Sequence, residues 1–166
     1  MSKALFIDRE LLIKKSPLNG SIDPDKLMQY IELAQDIYIQ VQLGTDLYEK
    51  LQADIIAGTL SGNYETLLKT YVQPMLIHYA VVEFLHYAAY EVSNGGIFRH
   101  TPENSQNATK EEVDFLIAKQ KRTAEFYADR FNDYITYNAN LFPEFYTNSN
   151  GDIYPERGTN KTGWVL

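Results

Sequence analysis

Apolar residues recur at helical spacing along most of the chain, and this pattern predicts a bundle of helices. The first clear helix begins at Asp23-Pro24, because aspartate is a good N-cap and proline fits the first helical position. It ends at Leu43-Gly44, since glycine tolerates the left-handed conformation that closes a helix. Its predicted apolar stripe consists of Leu27, Tyr30, Ile31, Ala34, Tyr38 and Val41.

A second helix follows almost at once, and Thr45 is expected to be its N-cap, with the hydroxyl accepting from a free backbone N–H. Its apolar residues Leu47, Leu51 and Ile55 share one face. Because the joint between the two helices is so short, it fixes the angle between them. This joint therefore specifies architecture and carries no catalytic signature.

A third helical pattern covers residues 64–92. Pro74 interrupts it, because proline removes a backbone hydrogen bond and clashes with the preceding turn, so we expect a kink or two successive helices. The part after Pro74 is apolar nearly all round, which is typical of a helix at the centre of a bundle. The Asn94-Gly95-Gly96 segment is expected to end it.

A polar, turn-rich stretch separates this helix from the last one. Residues 95–108 are expected to form an irregular loop, either flexible or a short hairpin, in which Ile97 and Phe98 are apolar. Thr109 and Glu112 then have the spacing of a capping box, and they open a long final helix. The predicted stripe of this helix consists of Val113, Leu116, Ile117, Gln120, Ala124, Tyr127, Phe131 and Tyr134.

The expected fold is all-α, a small bundle of four to five helices with an irregular loop at 95–108 and an extended C-terminal tail. Residues 1–145 form the helical domain, within which residues 1–22 are an N-terminal arm or a short helix. Residues 146–166 form the tail.

The tail is richer in large apolar residues than a solvated segment normally is. Trp164 either folds back onto its own domain or docks on another copy or another protein, and we favour docking because aromatic anchors are enriched at interfaces. The interface candidates are Ile97, Phe98, Ile153, Tyr154, Trp164, Val165 and Leu166.

Composition and charge argue against several classes of function. The 166 residues include 15 Lys and Arg against 22 Asp and Glu, a net charge of -7. A chain this acidic is not expected to bind DNA by neutralising phosphates, although it could line a passage through which DNA moves. It has no cysteine, which excludes disulfides and cysteine nucleophiles. It also lacks a signal-peptide pattern and a membrane-spanning run, so we expect a reducing, cytoplasm-like compartment.

Two small clusters have possible chemistry. Glu83 and His86 form a Glu-x-x-His pair, which in helical bundles serves di-iron centres but must then occur twice with further glutamates. A hydrogen-bonded pair is therefore expected, and no catalytic, cofactor-binding or metal-binding residue is predicted. A metal-binding protein or enzyme centred on this pair stays as an alternative. Lys119, Lys121 and Arg122 indicate a solvated face, or otherwise a contact with a phosphate or an acidic partner.

Several short segments together carry a resemblance over residues 5–145. They are Ile22-Asp23-Pro24, Ala34-Gln35-Asp36, Leu43-Gly44-Thr45-Asp46-Leu47-Tyr48, Tyr71-Val72-Gln73-Pro74, Glu103-Asn104-Ser105, Thr123-Ala124-Glu125-Phe126-Tyr127-Ala128 and Leu141-Phe142-Pro143-Glu144-Phe145. In this pattern the chain resembles the gp6-like adaptors, head–tail connectors of tailed bacteriophages. It is most similar to those of Bacteroidetes phages and prophages, including crAss-like phages.

The resemblance implies a structural virion protein that is not an enzyme and has no cofactor. Such adaptors assemble as a ring, typically of about twelve copies, between the portal protein and the stopper or tail proteins. The ring leaves an axial channel through which DNA passes without specific binding. Their termini and long inter-helix loop contact neighbours, which here implicates residues 95–108 and 146–166. A cytoplasmic helical interaction module with no phage role is a further alternative.

Overall fold

The computed structural model describes residues 3–88, 90–93, 96–99 and 108–155, and the fold is an all-α bundle. The α-helices are α1 (Arg9–Lys15), α2 (Pro24–Ala34), α3 (Gln40–Leu43), α4 (Thr45–Ala57), α5 (Gly62–Thr66), α6 (Gln73–Tyr87) and α7 (Lys110–Tyr137). The remaining elements are π-helical segments at Gln35–Ile39 and Leu67–Val72, strands β1 (Tyr90–Ser93) and β2 (Gly96–Arg99), and 3-10 turns at Ala139–Leu141 and Pro143–Tyr146.

Helix α6 is the central element, as its apolar composition predicts. It packs between α2 and α7, and seven of its residues are buried. The C-terminal half of α7 contributes Phe131 and Ile135 to the core, and the 3-10 turns add Phe142 and Phe145. Phe131 and Phe145 meet edge to face with ring centroids 6.1 Å apart, an arrangement that aromatic pairs prefer.

The π-helical segment after α2 changes which residues reach the core. A π turn holds more residues than an α turn, so the buried stripe moves around the helix. Gln35 and Ile39 are fully buried, whereas Tyr38 and Val41 are only partly buried. The prediction of one uninterrupted α-helical stripe to Val41 is therefore wrong.

A second π-helical segment leads directly into Pro74. The N–H of Gln73 donates to the carbonyl of Leu68, five residues back. Helices α5 and α6 are therefore successive helices joined by π turns, which is one of the two outcomes predicted for this proline.

Helix α6 ends at Tyr87 and not near residue 92, because residues 90–93 form the first strand of a hairpin. The strands pair antiparallel, from Tyr90 opposite Arg99 to Ser93 opposite Gly96. A hairpin was one of the two conformations predicted within the 95–108 loop, but the hairpin found pairs residues 96–99 with residues 90–93, of which 90–92 were predicted to be helical. Residues 94–95 and 100–107 lie outside the described residues.

Helix α7 begins with the predicted capping box. The Glu112 N–H donates to Thr109 Oγ1 at 3.2 Å, and the Thr109 N–H donates to Glu112 Oε2 at 2.8 Å. The N-terminal arm is an extended segment followed by a short helix: Phe6 and Ile7 are buried against the bundle, and Asp8 caps α1. Among the described residues, no helix combines the length and apolar character needed to cross a bilayer.

Candidate interaction surfaces

The joint between α3 and α4 is held from outside by residues 147–155, which we call the C-terminal segment. Gly44 is the N-cap residue of α4, with φ +73° and ψ 158°, and Thr45 is the first helical residue. The Thr45 N–H donates to the Ile153 carbonyl at 2.9 Å, and the Ile153 N–H donates to Thr45 Oγ1 at 3.1 Å. Thr45 Oγ1 also donates to Asp152 Oδ2 at 3.1 Å.

The predicted role of Thr45 as N-cap of α4 is therefore wrong. Gly44 is the cap residue instead. The backbone conformation at this position is nearly inaccessible to residues with a side chain, so it requires glycine. The Thr45 hydroxyl is consequently free to bind the C-terminal segment, which satisfies an N–H at the helix start in place of a cap.

Asp46 fixes the other end of the same segment. Its Oδ2 atom accepts from Thr147 Oγ1 at 2.6 Å, from the Ser149 N–H at 2.9 Å and from Ser149 Oγ at 2.8 Å. These hydrogen bonds, that of Thr147 first, lower the pKa of the Asp46 carboxyl below its ordinary value. Asp46 therefore binds the C-terminal segment best when it is ionised.

Acid is expected to loosen this contact. Because the pKa of Asp46 is lower in the folded chain than in the unfolded chain, its stabilising contribution is complete above the unfolded value of 3.8 and is lost as the pH falls through the lower folded value. The difference in unfolding midpoint between the wild type and Asp46→Asn should therefore shrink below pH 3.8. Urea unfolding at a series of pH values measures this difference.

Asp129→Asn is the matched control, because Asp129 is exposed on α7. It measures the effect of removing an exposed carboxylate outside the contact with the C-terminal segment. A wild-type advantage over Asp46→Asn that persists at low pH would contradict the role given to the carboxylate.

Three glutamine side chains hold the backbone of the N-terminal arm. Gln35 Oε1 accepts from the Phe6 N–H at 2.7 Å, and Gln35 Nε2 donates to the Ala4 carbonyl at 2.9 Å. Gln52 Oε1 accepts from the Ala4 N–H at 2.6 Å, and Gln73 Nε2 donates to the Phe6 carbonyl at 2.8 Å. The amides thereby replace the partners that a neighbouring strand would supply.

A groove of about 1000 Å³ lies beside the glutamines that bind the N-terminal arm, and it follows one face of α4. Its apolar part is built from short side chains and one isoleucine, Ile56, which is 59% exposed. Its charged members are Lys3, Asp36 and Glu49, and Lys3 pairs with Asp36. The groove is lined by Lys3, Asp36, Gln40, Tyr48, Glu49, Gln52, Ala53, Ile56 and Ala57.

The N-terminal half of α7 contributes no fully buried side chain to the core. Residues 113, 117, 120 and 123 are partly buried, and the others between 110 and 123 are exposed, among them Phe115 at 67% and Leu116 at 45%. Phe126, three helical turns after Phe115, is 62% exposed. This surface matters because large apolar side chains grouped on the outside of a protein are typical of interaction sites.

Two basic side chains lie between the exposed phenylalanines of α7. Phe115, Lys119, Arg122 and Phe126 are spaced at i, i+4, i+7 and i+11, so they share one face of the helix, which we call the α7 ridge. In the described ranges, no salt bridge joins Lys119, Lys121 or Arg122 to another residue. The solvated basic face that was expected here therefore also carries aromatic side chains. The apolar stripe predicted for α7 did not reveal this feature.

The predicted interface candidates fall into three groups. Ile97, on β2, is 72% exposed, and Tyr154 is 46% exposed. Ile153 is partly buried and its backbone is bound to Thr45. The side chain of Phe98 lies outside the described residues, as do Trp164, Val165 and Leu166.

The Glu83 and His86 pair does not form a joint site. Glu83 Oε1 accepts from the Tyr38 hydroxyl at 2.7 Å, whereas His86 is exposed. Burial and this hydrogen bond raise the pKa of Tyr38, so the tyrosine stays a donor. His78 Nδ1 instead lies 2.8 Å from Gln120 Oε1.

His100, the third histidine, lies outside the described residues. The described part of the chain shows no group of three or more His, Cys, Asp or Glu side chains placed to hold a metal ion.

Comparison with known proteins places the chain in a family. No curated protein and no solved structure matches it. The family match ends at residue 155 and so includes the C-terminal segment that binds the α3–α4 joint. The chain belongs to DUF6712, a family of unknown function, which matches its residues 39–155.

Proposed function

We propose that this chain is a structural virion protein, a head–tail connector that forms a ring between the portal and the tail around the DNA channel. The ring contacts the portal protein on one side and tail or stopper proteins on the other. The role is one of docking and does not involve catalysis. The resemblance of residues 5–145 to phage adaptors supports this proposal.

The observation that carries the proposal is the exposed N-terminal half of α7. Residues 110–123 extend for about 21 Å at the usual helical rise. A helix of a free-standing domain normally turns its large apolar residues to the core, yet Phe115 and Leu116 face outward here. A neighbouring copy in a ring would cover them, because assembly interfaces are enriched in such side chains.

The charge of the chain also suits a DNA channel. Acidic residues exceed basic ones by 22 to 15. A ring built from such subunits repels the phosphate backbone, so DNA can pass without being retained.

A pair of outward substitutions tests the proposed ring contact. Phe115→Glu with Leu116→Glu should abolish ring formation when the protein is co-expressed with the portal of the same phage, because two charges replace the apolar contact. The monomer fold should persist, since exposed substitutions rarely change stability by more than about 0.5 kcal/mol. Electron microscopy of the co-expressed proteins and circular dichroism measure the two effects.

Tyr137→Glu is the matched control, because Tyr137 is on the same helix and 90% exposed. This variant should still form rings. Rings that survive the double substitution would contradict the interface, and absence of the protein from purified particles would contradict the connector role in favour of a helical interaction module. Stoichiometric iron or zinc in the purified protein would favour a metal-binding role instead.

A further inference from the structure

We infer that the groove on α4 of one copy receives the α7 ridge of a second copy. This inference rests on the proposed function, because it names the two surfaces through which neighbouring subunits of the ring would meet. The proposed occupant of the groove is another molecule of this chain.

The shapes of the two surfaces are complementary. The ridge places Phe115 and Phe126 three helical turns apart, about 16 Å, on one face of a straight element. The groove runs along α4, where Ala53 and Ala57 provide short side chains beside the exposed Ile56. Short side chains let a second helix approach closely, while the aromatic rings fill the space between the helices.

The charges of the two surfaces are also complementary. The ridge presents Lys119 and Arg122, which are both exposed. The groove presents Asp36 and Glu49, and among the described residues that line it Lys3 is the one cation, which pairs with Asp36 and Glu32. Glu49 Oε2 accepts a hydrogen bond from Asn150 Nδ2 at 3.2 Å.

An excess of positive charge on the ridge therefore meets an excess of negative charge in the groove. Such complementarity sets the register of an interface and disfavours like surfaces pairing with each other. A ridge-to-ridge dimer would bring Lys119 and Arg122 against their own copies.

The contact uses two different surfaces of each subunit, so it is heterologous. Contacts of this type build closed rings when the rotation per subunit divides a full turn. The same pair of surfaces thus serves every junction of the ring.

Cysteine cross-linking tests the pairing directly, because the chain has no cysteine of its own. A mixture of Glu49→Cys and Arg122→Cys proteins should form disulfide-linked dimers under mild oxidation, and each protein alone should form few. A chain carrying both substitutions should give a ladder of higher oligomers on a non-reducing gel. Lys14→Cys, at an exposed position of α1, replaces Arg122→Cys in the control mixture and should not cross-link with Glu49→Cys.

Charge reversal tests the same pairing in solution. Arg122→Glu and Glu49→Arg should each weaken self-association about tenfold, and their combination should restore most of it. Asn150→Ala controls for the hydrogen bond that Glu49→Arg removes, and it should associate like the wild type. Sedimentation velocity measures association, and low ionic strength makes the effect largest.

Each failure points to a different conclusion. Dimers linked through Arg122→Cys alone, or reversals that do not compensate each other, would overturn the groove–ridge pairing. If rings on the portal nevertheless form in those variants, the connector role stands and another surface carries the junction. If the wild type forms no ring with the portal, the connector role itself is overturned.

Discussion

Replacing Gly44 with alanine is expected to lower the free energy of unfolding by roughly 3 kcal/mol or more, the largest effect of any single substitution we predict. Gly44 adopts φ +73° and ψ 158°, a region that is open essentially to glycine alone. In addition, a Cβ atom there would lie 2.5 Å from Pro155 Cδ. Urea unfolding followed by circular dichroism measures the loss.

Gly58→Ala gives a reference for a glycine with a positive φ in the left-handed helical region, where no clash occurs. Gly58 also has a positive φ of +68°, but its Cβ would meet nothing within 4 Å. It should therefore cost only about 1 kcal/mol, the usual penalty for the backbone conformation alone. Adding Pro155→Gly to Gly44→Ala should recover the part due to the clash. If Gly44→Ala cost no more than Gly58→Ala, the packing of Pro155 on the joint would be refuted.

Gln35→Met is the second large effect, expected to cost about 1–3 kcal/mol. Methionine fills a similar volume, but it leaves the Phe6 N–H without its acceptor at a buried position, whereas the Ala4 carbonyl keeps the hydrogen bond from Gln52 Nε2 at 2.7 Å. An unpaired buried polar group costs its full desolvation free energy. Urea unfolding gives the total, and hydrogen exchange at the Phe6 amide shows whether the arm detaches.

Gln29→Met serves as the reference, because Gln29 is exposed on α2 and the same atoms change there. It should shift the unfolding free energy by no more than about 0.5 kcal/mol. Equal protection of the Phe6 amide in Gln35→Met and the wild type would show that the arm is held by its apolar side chains, not by the glutamine.

The features that could be predicted from the sequence are those set by neighbouring residues. The capping box at Thr109, the Asp23-Pro24 start and the central position of α6 follow from local chemistry, and all are confirmed. The π turns could not be predicted, because a hydrogen bond five residues back leaves no local signature. Gln35, at the start of the first π turn, lies one helical turn after Ile31 and is buried with it, where a polar side chain was not expected.

The candidate surfaces were harder to predict for a related reason. The partners of Thr45 and Asp46 lie about a hundred residues along the chain, at Ile153 and Ser149, and no spacing rule connects such positions. A signal for the α7 ridge was present, since Phe115 and Phe126 lie off the predicted apolar stripe. Aromatic residues on the polar side of a long helix are the feature that could have revealed it.

The contact between Thr45 and Ile153 has a consequence for how the protein is made. The start of α4 obtains the partner for its Thr45 N–H from a residue 108 positions later. On the ribosome, α4 therefore emerges long before the residue that completes its first turn. The contact that braces the α3–α4 joint can consequently form only after the last helix has been synthesised.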